Sequence, residues 1–214
     1  MKVERVLGTG ASSVVYAARH AYFSNSVAVK VLRLRGATPV LARQWLKREA
    51  EIYARVSDPR IPQAYYVDQL PDGNPYLAME LISGLTLRAL LSRGALAQRA
   101  VRTLIVELLA ILDKVHACGV FHRDIKPSNL VLSRRGDDKY RLYLLDFGLA
   151  RTEDTRLDAR LAPAPELAGT PSYMAPEVLS GSVADARSDV YAVGVLLYQA
   201  LTGFLPHRGA CTMD

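Results

Sequence analysis

The stretch from His122 to Asn129, which reads HRDIKPSN, constrains the fold of this chain more than any other. A helical pattern over 97–118 precedes it, with apolar residues at the spacing of a buried helix face: Leu104, Leu108, Ile111, Leu112 and Val115. Gly119 ends that helix, and a strand-like Leu-Val-Leu begins at Leu130. The sequence therefore predicts a short polar loop between a core helix and a strand.

Three residues of this loop have complementary chemistry. Asp124 can accept a proton from a hydroxyl group, Lys126 can neutralise a phosphate oxygen, and Asn129 can offer its amide oxygen to a hard cation. A base, a cation and a metal ligand within six residues are the groups needed to transfer a phosphoryl group between oxygen atoms. A second carboxylate, Asp146, ends another apolar strand in LLDFGLA.

The composition is that of an ordinary globular protein. A length of 214 residues, half of them hydrophobic, suits one large domain or two small lobes that share a cleft. The net charge is +6, but the basic residues are scattered and not interleaved with aromatic residues, so we expect no nucleic-acid partner. Two cysteines, no signal peptide and no apolar run of membrane-spanning length favour a reducing cytoplasm.

The first 81 residues have the pattern of an antiparallel sheet with one helix. Strands are predicted at 3–8, 14–20, 27–31, 64–70 and 75–81. A helix is predicted at 39–56, with a buried stripe of Trp45, Ile52 and Val56. Gly8 and Gly10 lie in the first turn, where the missing Cβ lets backbone amides approach a phosphate.

The rest of the chain is mainly helical. Helices are predicted at 86–92, 97–118 and 185–203, and strands at 130–133 and 140–145. The predicted core face of the last helix consists of Val193, Leu196, Leu197 and Ala200. Asp189, near the start of that helix, can be interpreted as a first-turn acid that favours the helix dipole.

In this order, the segments HRDIKPSN, DFGLA and GTPSYMAPE resemble those of eukaryotic-type protein kinases, from about residue 3 to residue 206. The resemblance implies an α+β, two-lobed fold: an ATP-binding lobe at 1–81, a hinge at 82–84 and a partial, mainly helical catalytic lobe at 85–214 that lacks its last helices. Lys126 and the GTPSY segment are similar to the serine/threonine branch. AGTPSYMAPE and the compact loops resemble bacterial members.

The resemblance also implies nucleotide contacts. Lys30, in the strand VAVKV, would hold the α- and β-phosphates of ATP and pair with a carboxylate of the following helix. We favour Glu49 over Glu51, because Glu49 stands ten residues before Pro59, as in the family pattern. Ser13 replaces the third glycine of the glycine-rich loop. The other contacts would come from Gly8, Gly10, Val15, Ala28, Met79, Glu80, Ile82 and Val131.

The resemblance gives Asp189 a second interpretation, as an anchor for the backbone of the HRDIKPSN loop. For the chemistry itself, it assigns roles to five residues. Asn129 and Asp146 would hold Mg²⁺, and Lys126 would contact the γ-phosphate. Asp124 would take the proton of the substrate hydroxyl, and Thr170 would hydrogen-bond both Asp124 and Lys126.

One departure from the family concerns Arg123, which a phosphorylated loop residue usually neutralises. The position of that residue is Glu166 here, and no Ser, Thr or Tyr stands between Arg156 and Gly169. Two hypotheses follow. Either Glu166 replaces the phosphate by pairing with Arg123, or Glu166 is an ordinary loop residue and Thr152 or Thr155 is the switch site.

A second departure concerns the helix at 185–203. In the family, further helices cover it and supply an arginine for the glutamate equivalent to Glu177. We therefore expect an exposed apolar surface on this helix, an unpaired Glu177, and a partner or missing segment that covers the surface.

Three functions compete. The leading interpretation is a protein serine/threonine kinase that uses ATP and Mg²⁺ and acts on protein hydroxyls. The alternative is a kinase-fold module that binds a nucleotide or a partner without efficient turnover, because its peptide-binding floor is incomplete. A small-molecule kinase is disfavoured, since such enzymes lack the GTPSYMAPE segment.

Overall fold

The computed structural model of the chain describes residues 1–10, 13–19, 26–34, 37–135, 139–152 and 170–207. Contacts within the chain divide it into two compact units, Met1–Ser83 and Gly84–Asp214. The first is mostly sheet and the second mostly helix.

The first unit contains a five-stranded antiparallel sheet with the strand order β1-β2-β3-β5-β4. Its strands are β1 Lys2–Thr9, β2 Ser13–Arg19, β3 Ser26–Leu32, β4 Ala64–Gln69 and β5 Pro75–Glu80. The sequence predicted each of these strands to within one residue at either end, from turn residues and short strand-like runs. One face of the sheet buries a core cluster of Ala18, Val27, Val29, Tyr76 and Ala78.

Helix α1 spans Pro39–Arg55 and packs against β4 and β5. Thr38 caps it by accepting a hydrogen bond from Leu41 N at 3.2 Å, and Pro39 suits the first turn, where no backbone N–H is needed. The predicted buried stripe was partly wrong. Trp45 is only half-buried, because the buried face runs one residue further along the helix, through Ala42, Leu46, Glu49, Ile52 and Tyr53.

The second unit has four helices within its described residues: α2 Leu87–Leu91, α3 Gln98–Ala117, α4 Pro176–Leu179 and α5 Ala186–Thr202. Two 3₁₀ turns lie at Pro127–Asn129 and Pro171–Tyr173. Strands β6 Leu85–Thr86, β8 Leu130–Arg135 and β9 Lys139–Leu144 form one small sheet, and β7 Val120–Phe121 pairs with β10 Arg151–Thr152.

Helices α3 and α5 pack together in the second unit. The apolar stripe predicted for α3 is buried along its whole length. On α5, Val193, Leu196 and Ala200 are buried as predicted, but Leu197 is 36% exposed. Leu197 lies beside the stripe formed by the other three residues, so it falls outside the buried face.

The expected exposed apolar surface is present on α5. Val190, Leu197, Tyr198 and Leu201 are each at least 36% exposed. Glu177 is exposed, and its carboxylate forms no salt bridge with another described residue. Across the ranges the structure describes, no helix combines the length and the apolar character needed to cross a membrane.

Candidate active site

The strand register of the first unit places several predicted nucleotide contacts on one face of the sheet. Gly8 pairs with Val15, and Val15 pairs with Lys30, so these three residues form a row across β1, β2 and β3. Ala28 is two residues from Lys30 and pairs with Met79 on β5. Directly opposed and alternate residues share a face, so this face presents one cation beside small and apolar residues.

Helix α1 supplies the partner of Lys30. The Lys30 Nζ lies 2.7 Å from Oε1 and 2.8 Å from Oε2 of Glu49, and both side chains are buried. Glu51 is exposed, so the structure selects Glu49 from the two candidates. Contact with both carboxylate oxygens fixes the position of the ammonium group on the sheet face.

The turn after β1 and the end of β5 are held by backbone hydrogen bonds. Gly10 N donates to Ser13 O at 2.8 Å, which closes the glycine-containing turn. Glu80 N donates to Gln63 O at 2.8 Å, so the Glu80 amide is already used. If the backbone of Glu80 contacts the nucleotide as predicted, the carbonyl is the group left to do so. Ile82, the other predicted hinge contact, is half-buried.

In the second unit, Asp124 is the centre of a hydrogen-bonded network. Lys126 Nζ lies 2.6 Å from Asp124 Oδ2, and Asn129 Nδ2 donates to the same oxygen at 3.1 Å. Thr170 Oγ1 donates to Asp124 Oδ1 at 3.2 Å and accepts from Lys126 Nζ at 3.1 Å. The structure thus brings four predicted site residues together around one buried carboxylate. This carboxylate retains lone pairs for a further donor.

Asn129 and Asp146 fit a magnesium ion. Among the described residues, no cluster of three or more His, Cys, Asp or Glu side chains suggests a metal site. Asn129 uses its Nδ2 for Asp124, which leaves its Oδ1 as the acceptor. Leu145 N donates to Asn129 O at 2.8 Å, so the residue before Asp146 is tied to Asn129. One carboxylate and one amide oxygen suit Mg²⁺, which proteins bind through few side chains together with substrate phosphates.

The backbone at Asp146 is unusual. Its φ of 65° lies in the left-handed region, which residues other than glycine rarely adopt. Gly148 N donates to Asp146 Oδ1 at 3.3 Å, and the Phe147 side chain is 1% exposed. Burial of Phe147 and the bond from Gly148 hold Asp146 in this strained conformation.

Asp189 of α5 anchors the backbone at the start of the HRD loop, which we define as His122–Asn129. Its carboxylate accepts hydrogen bonds from His122 N at 2.9 Å and Arg123 N at 2.8 Å, and lies 2.9 Å from His116 Nε2. Arg123 has a φ of 66°, so these bonds hold a second strained residue. Of the two interpretations of Asp189, the geometry selects the loop anchor.

His122 has a structural role that the sequence analysis missed. Its side chain is fully buried, and its Nδ1 accepts a hydrogen bond from Asp124 N at 3.2 Å. The proton therefore resides on Nε2, which donates to Leu145 O at 3.0 Å. The ring also contacts Phe147 edge-on, with centroids 4.8 Å apart. Nothing in the local sequence pattern indicated this role, because burial of a loop histidine depends on the tertiary fold.

The hypotheses about the loop after Asp146 have different outcomes. Glu166 and Thr155 lie outside the described residues. Thr152 lies in β10, and its buried Oγ1 has no hydrogen-bond partner among the described groups. A buried hydroxyl in a paired strand is inaccessible to a kinase, so this conformation argues against Thr152 as a switch site.

Comparisons with known proteins identify the family of this chain. The chain matches the protein kinase domain over residues 1–213. It is 38% identical over 209 residues to the serine/threonine-protein kinase pkn3 of Myxococcus xanthus, covering 96% of this chain and 38% of that protein. It is 35% identical to PknH of Mycobacterium bovis, covering 96% and 33%, and 38% identical to PknL of the same species, covering 97% and 50%.

The chain thus spans half or less of the length of these relatives. The match nevertheless includes both units and every site residue described above. The chain belongs to the protein kinase domain family.

Proposed function

We propose that the chain is a protein serine/threonine kinase that transfers the γ-phosphate of ATP to serine or threonine hydroxyls of proteins. The network of Asp124, Lys126, Asn129 and Thr170 carries this proposal, because it combines a carboxylate base with a cation beside it. The names of the three relatives, all serine/threonine-protein kinases, support it.

In the proposed reaction, Asp124 orients the substrate hydroxyl and accepts its proton. The hydroxyl oxygen forms a bond to the γ-phosphorus, and the bond from that phosphorus to the β–γ bridging oxygen breaks, which releases ADP. Lys126 neutralises charge on the transferred group, and Thr170 fixes Asp124 and Lys126 relative to each other. Positioning and electrostatics provide most of the rate.

The remaining site residues would bind the nucleotide and its metal. Asn129 and Asp146 would hold Mg²⁺, which supplies positive charge to the phosphate oxygens. Lys30, fixed by Glu49, would hold the α- and β-phosphates. We assign 1–81 to the ATP-binding lobe, 82–84 to the hinge and 85–214 to the catalytic lobe. Gly8, Gly10, Val15, Ala28, Met79, Glu80, Ile82 and Val131 complete the proposed nucleotide site.

A second candidate is a kinase-fold module that binds a nucleotide or a partner without efficient turnover. The exposed apolar residues of α5 favour it, because contiguous apolar surface often marks a binding site. A partner that covers this helix is part of that proposal.

The test is transfer of ³²P from ATP and Mg²⁺ to the protein itself and to generic protein substrates, with Asp124→Asn as the control. We expect transfer by the wild type and a loss of at least about 100-fold in the variant. Thermal stabilisation by ATP and Mg²⁺ without any transfer would support the binding module. Equal transfer by both proteins would overturn the role of Asp124.

A further inference from the structure

A cavity of about 440 Å³ opens beside the Asp124 network. It lies entirely within the second unit, and it is lined by α2, α5 and both 3₁₀ turns. Two members of the network, Lys126 and Thr170, form part of its wall. Because Thr170 also donates to Asp124 Oδ1, the cavity lies next to the place where the acceptor hydroxyl would be held.

The charged side chains in the described lining of the cavity are all positive. Its described lining includes two cations, Arg88 and Lys126, and no carboxylate. The polar remainder offers hydroxyl and amide groups from Ser92, Ser128 and Gln199. Lys126 already pairs with Asp124 at 2.6 Å, whereas Arg88 is exposed and forms no salt bridge with a described acidic residue. Arg88 is therefore the cation available to a ligand.

The position of Arg88 is set by its helix. Leu87 is fully buried, and Thr86 caps α2 by accepting a hydrogen bond from Ala89 N at 3.1 Å. Helix α2 also packs against the 3₁₀ turn that follows Lys126. The backbone that carries Arg88 is thus fixed relative to the Asp124 network, and Arg88 is one of the residues that line the cavity.

Two other lining residues, Tyr173 and Gln199, are held in place by a hydrogen bond. Tyr173 OH donates to Gln199 Oε1 at 2.6 Å, which joins the second 3₁₀ turn to α5. Burial raises the pKa of Tyr173, and the hydrogen bond with Gln199 and the positive charge of Arg88 each oppose part of that rise. Arg88 is thus close enough to influence the phenol of Tyr173, which also lines the cavity.

We propose that this cavity binds an anionic side chain of the protein substrate, within a few residues of the acceptor, and that Arg88 determines this specificity. The anionic group is a carboxylate or a phosphorylated side chain, since both pair with guanidinium. This inference rests on the proposed function, because it concerns the substrate of the same site.

The experiment uses the full chain and a set of peptides with one acceptor serine and uncharged flanking residues. Glu, phosphoserine, Gln or Lys is placed at each of the four positions on either side, and kcat/KM is measured for every peptide. We expect Glu or phosphoserine to exceed Gln by about two- to fivefold at one or two positions, the size expected for an exposed ion pair. A gain for phosphoserine alone would identify the group as a phosphate.

Arg88→Ala should remove this preference, and Arg88→Glu should replace it with a preference for Lys at the same positions. Arg102→Glu is the matched control, because Arg102 is an exposed arginine of α3 outside the cavity lining. It should retain the preference of the wild type. Equal melting temperatures of the variants would show that the fold is intact.

No preference for an anionic residue at any position, or a preference unchanged in Arg88→Glu, would overturn the inference. Binding of fluorescent peptides, measured by anisotropy, separates this result from a failure of the proposed function. If no peptide is phosphorylated, the proposed function fails. Tighter binding of the Glu peptide, lost in Arg88→Glu, would still support the anionic site, and equal binding of the Glu and Gln peptides would refute it.

Discussion

Replacement of Asp189 by asparagine tests whether α5 holds the HRD loop in place. The Asp189 side chain is 1% exposed and contacts three nitrogen atoms, His122 N, Arg123 N and His116 Nε2, at 2.8–2.9 Å. Asparagine keeps the shape of the side chain but loses the charge, and it presents an N–H group where one of the two oxygens was.

The size of the expected loss in stability follows from these contacts. In either orientation of the amide, at least one buried backbone N–H loses its acceptor, which costs about 1–3 kcal/mol, and the other bonds weaken because the acceptor is no longer charged. We expect the free energy of unfolding to fall by about 2–4 kcal/mol. Relaxation of Arg123 from its φ of 66° would shift Asp124, so kcat/KM should fall at least about tenfold.

The assay is urea unfolding followed by circular dichroism, together with kcat/KM on a fixed peptide. Fluorescence is unsuitable, because the single tryptophan, Trp45, lies in the other unit. Asp113→Asn is the matched control, since that carboxylate is 76% exposed on α3 and should change stability by less than about 0.5 kcal/mol. Unchanged stability and activity in Asp189→Asn would refute the anchoring role.

Three further predictions concern Lys30, Gly84 and Tyr76. Lys30→Met leaves the Glu49 carboxylate buried without this cation, so urea unfolding should show a loss of about 3–5 kcal/mol. The double variant with Glu49→Leu should recover much of it, and no recovery would contradict the reasoning. In Gly84→Ala, the new Cβ would clash with Leu132 O, a backbone atom that cannot easily move away, so we expect a loss of about 1–3 kcal/mol, measured in the same way. Burial raises the pKa of Tyr76 from 10.0 to about 12, so the stability linked to its neutral phenol is complete below pH 10.0 and is lost as the pH rises through 12. Between pH 10.0 and 12, the urea midpoint of Tyr76→Phe should therefore fall less than that of the wild type. Equal falls in the two proteins would contradict the raised pKa of Tyr76.

The long elements were predictable from the sequence, and the shortest ones were not. Strand-like runs bounded by turn residues predicted the five strands of the first unit, and the 3.6-residue period predicted α1, α3 and α5. Strands β6, β7 and β10 have two residues each, which is too few for a periodic pattern. They form because tertiary packing brings Leu85, Val120 and Arg151 beside their partners.

The hydrogen bonds of Thr170 with Asp124 and Lys126 were predicted by resemblance to a family, and local sequence patterns alone could not have predicted them. Resemblance identified Asp124, Lys126, Asn129 and Thr170, yet Thr170 is 46 residues from Asp124 in the chain. No local pattern links residues at that separation. For the same reason, the hydrogen bond from Glu80 N to Gln63 O was not expected, because it depends on how the end of β5 meets the residue before β4.

The positions of two buried carboxylates follow a helical pattern that is visible in the sequence. Glu49 falls on the stripe of Ala42, Leu46 and Tyr53, and Asp189 starts the stripe of Val193, Leu196 and Ala200. An acid at an apolar stripe position of a helix is forced into the core, where it must be paired.

Helix period alone therefore separates Glu49 from Glu51 and favours the anchor interpretation of Asp189. The helix period does not show which group pairs with each carboxylate. For Glu49 the partner is a lysine 19 residues away on a strand, and for Asp189 it includes two backbone amides more than 60 residues away. The sequence thus indicates which carboxylates hold the site together, and only the fold shows what they hold.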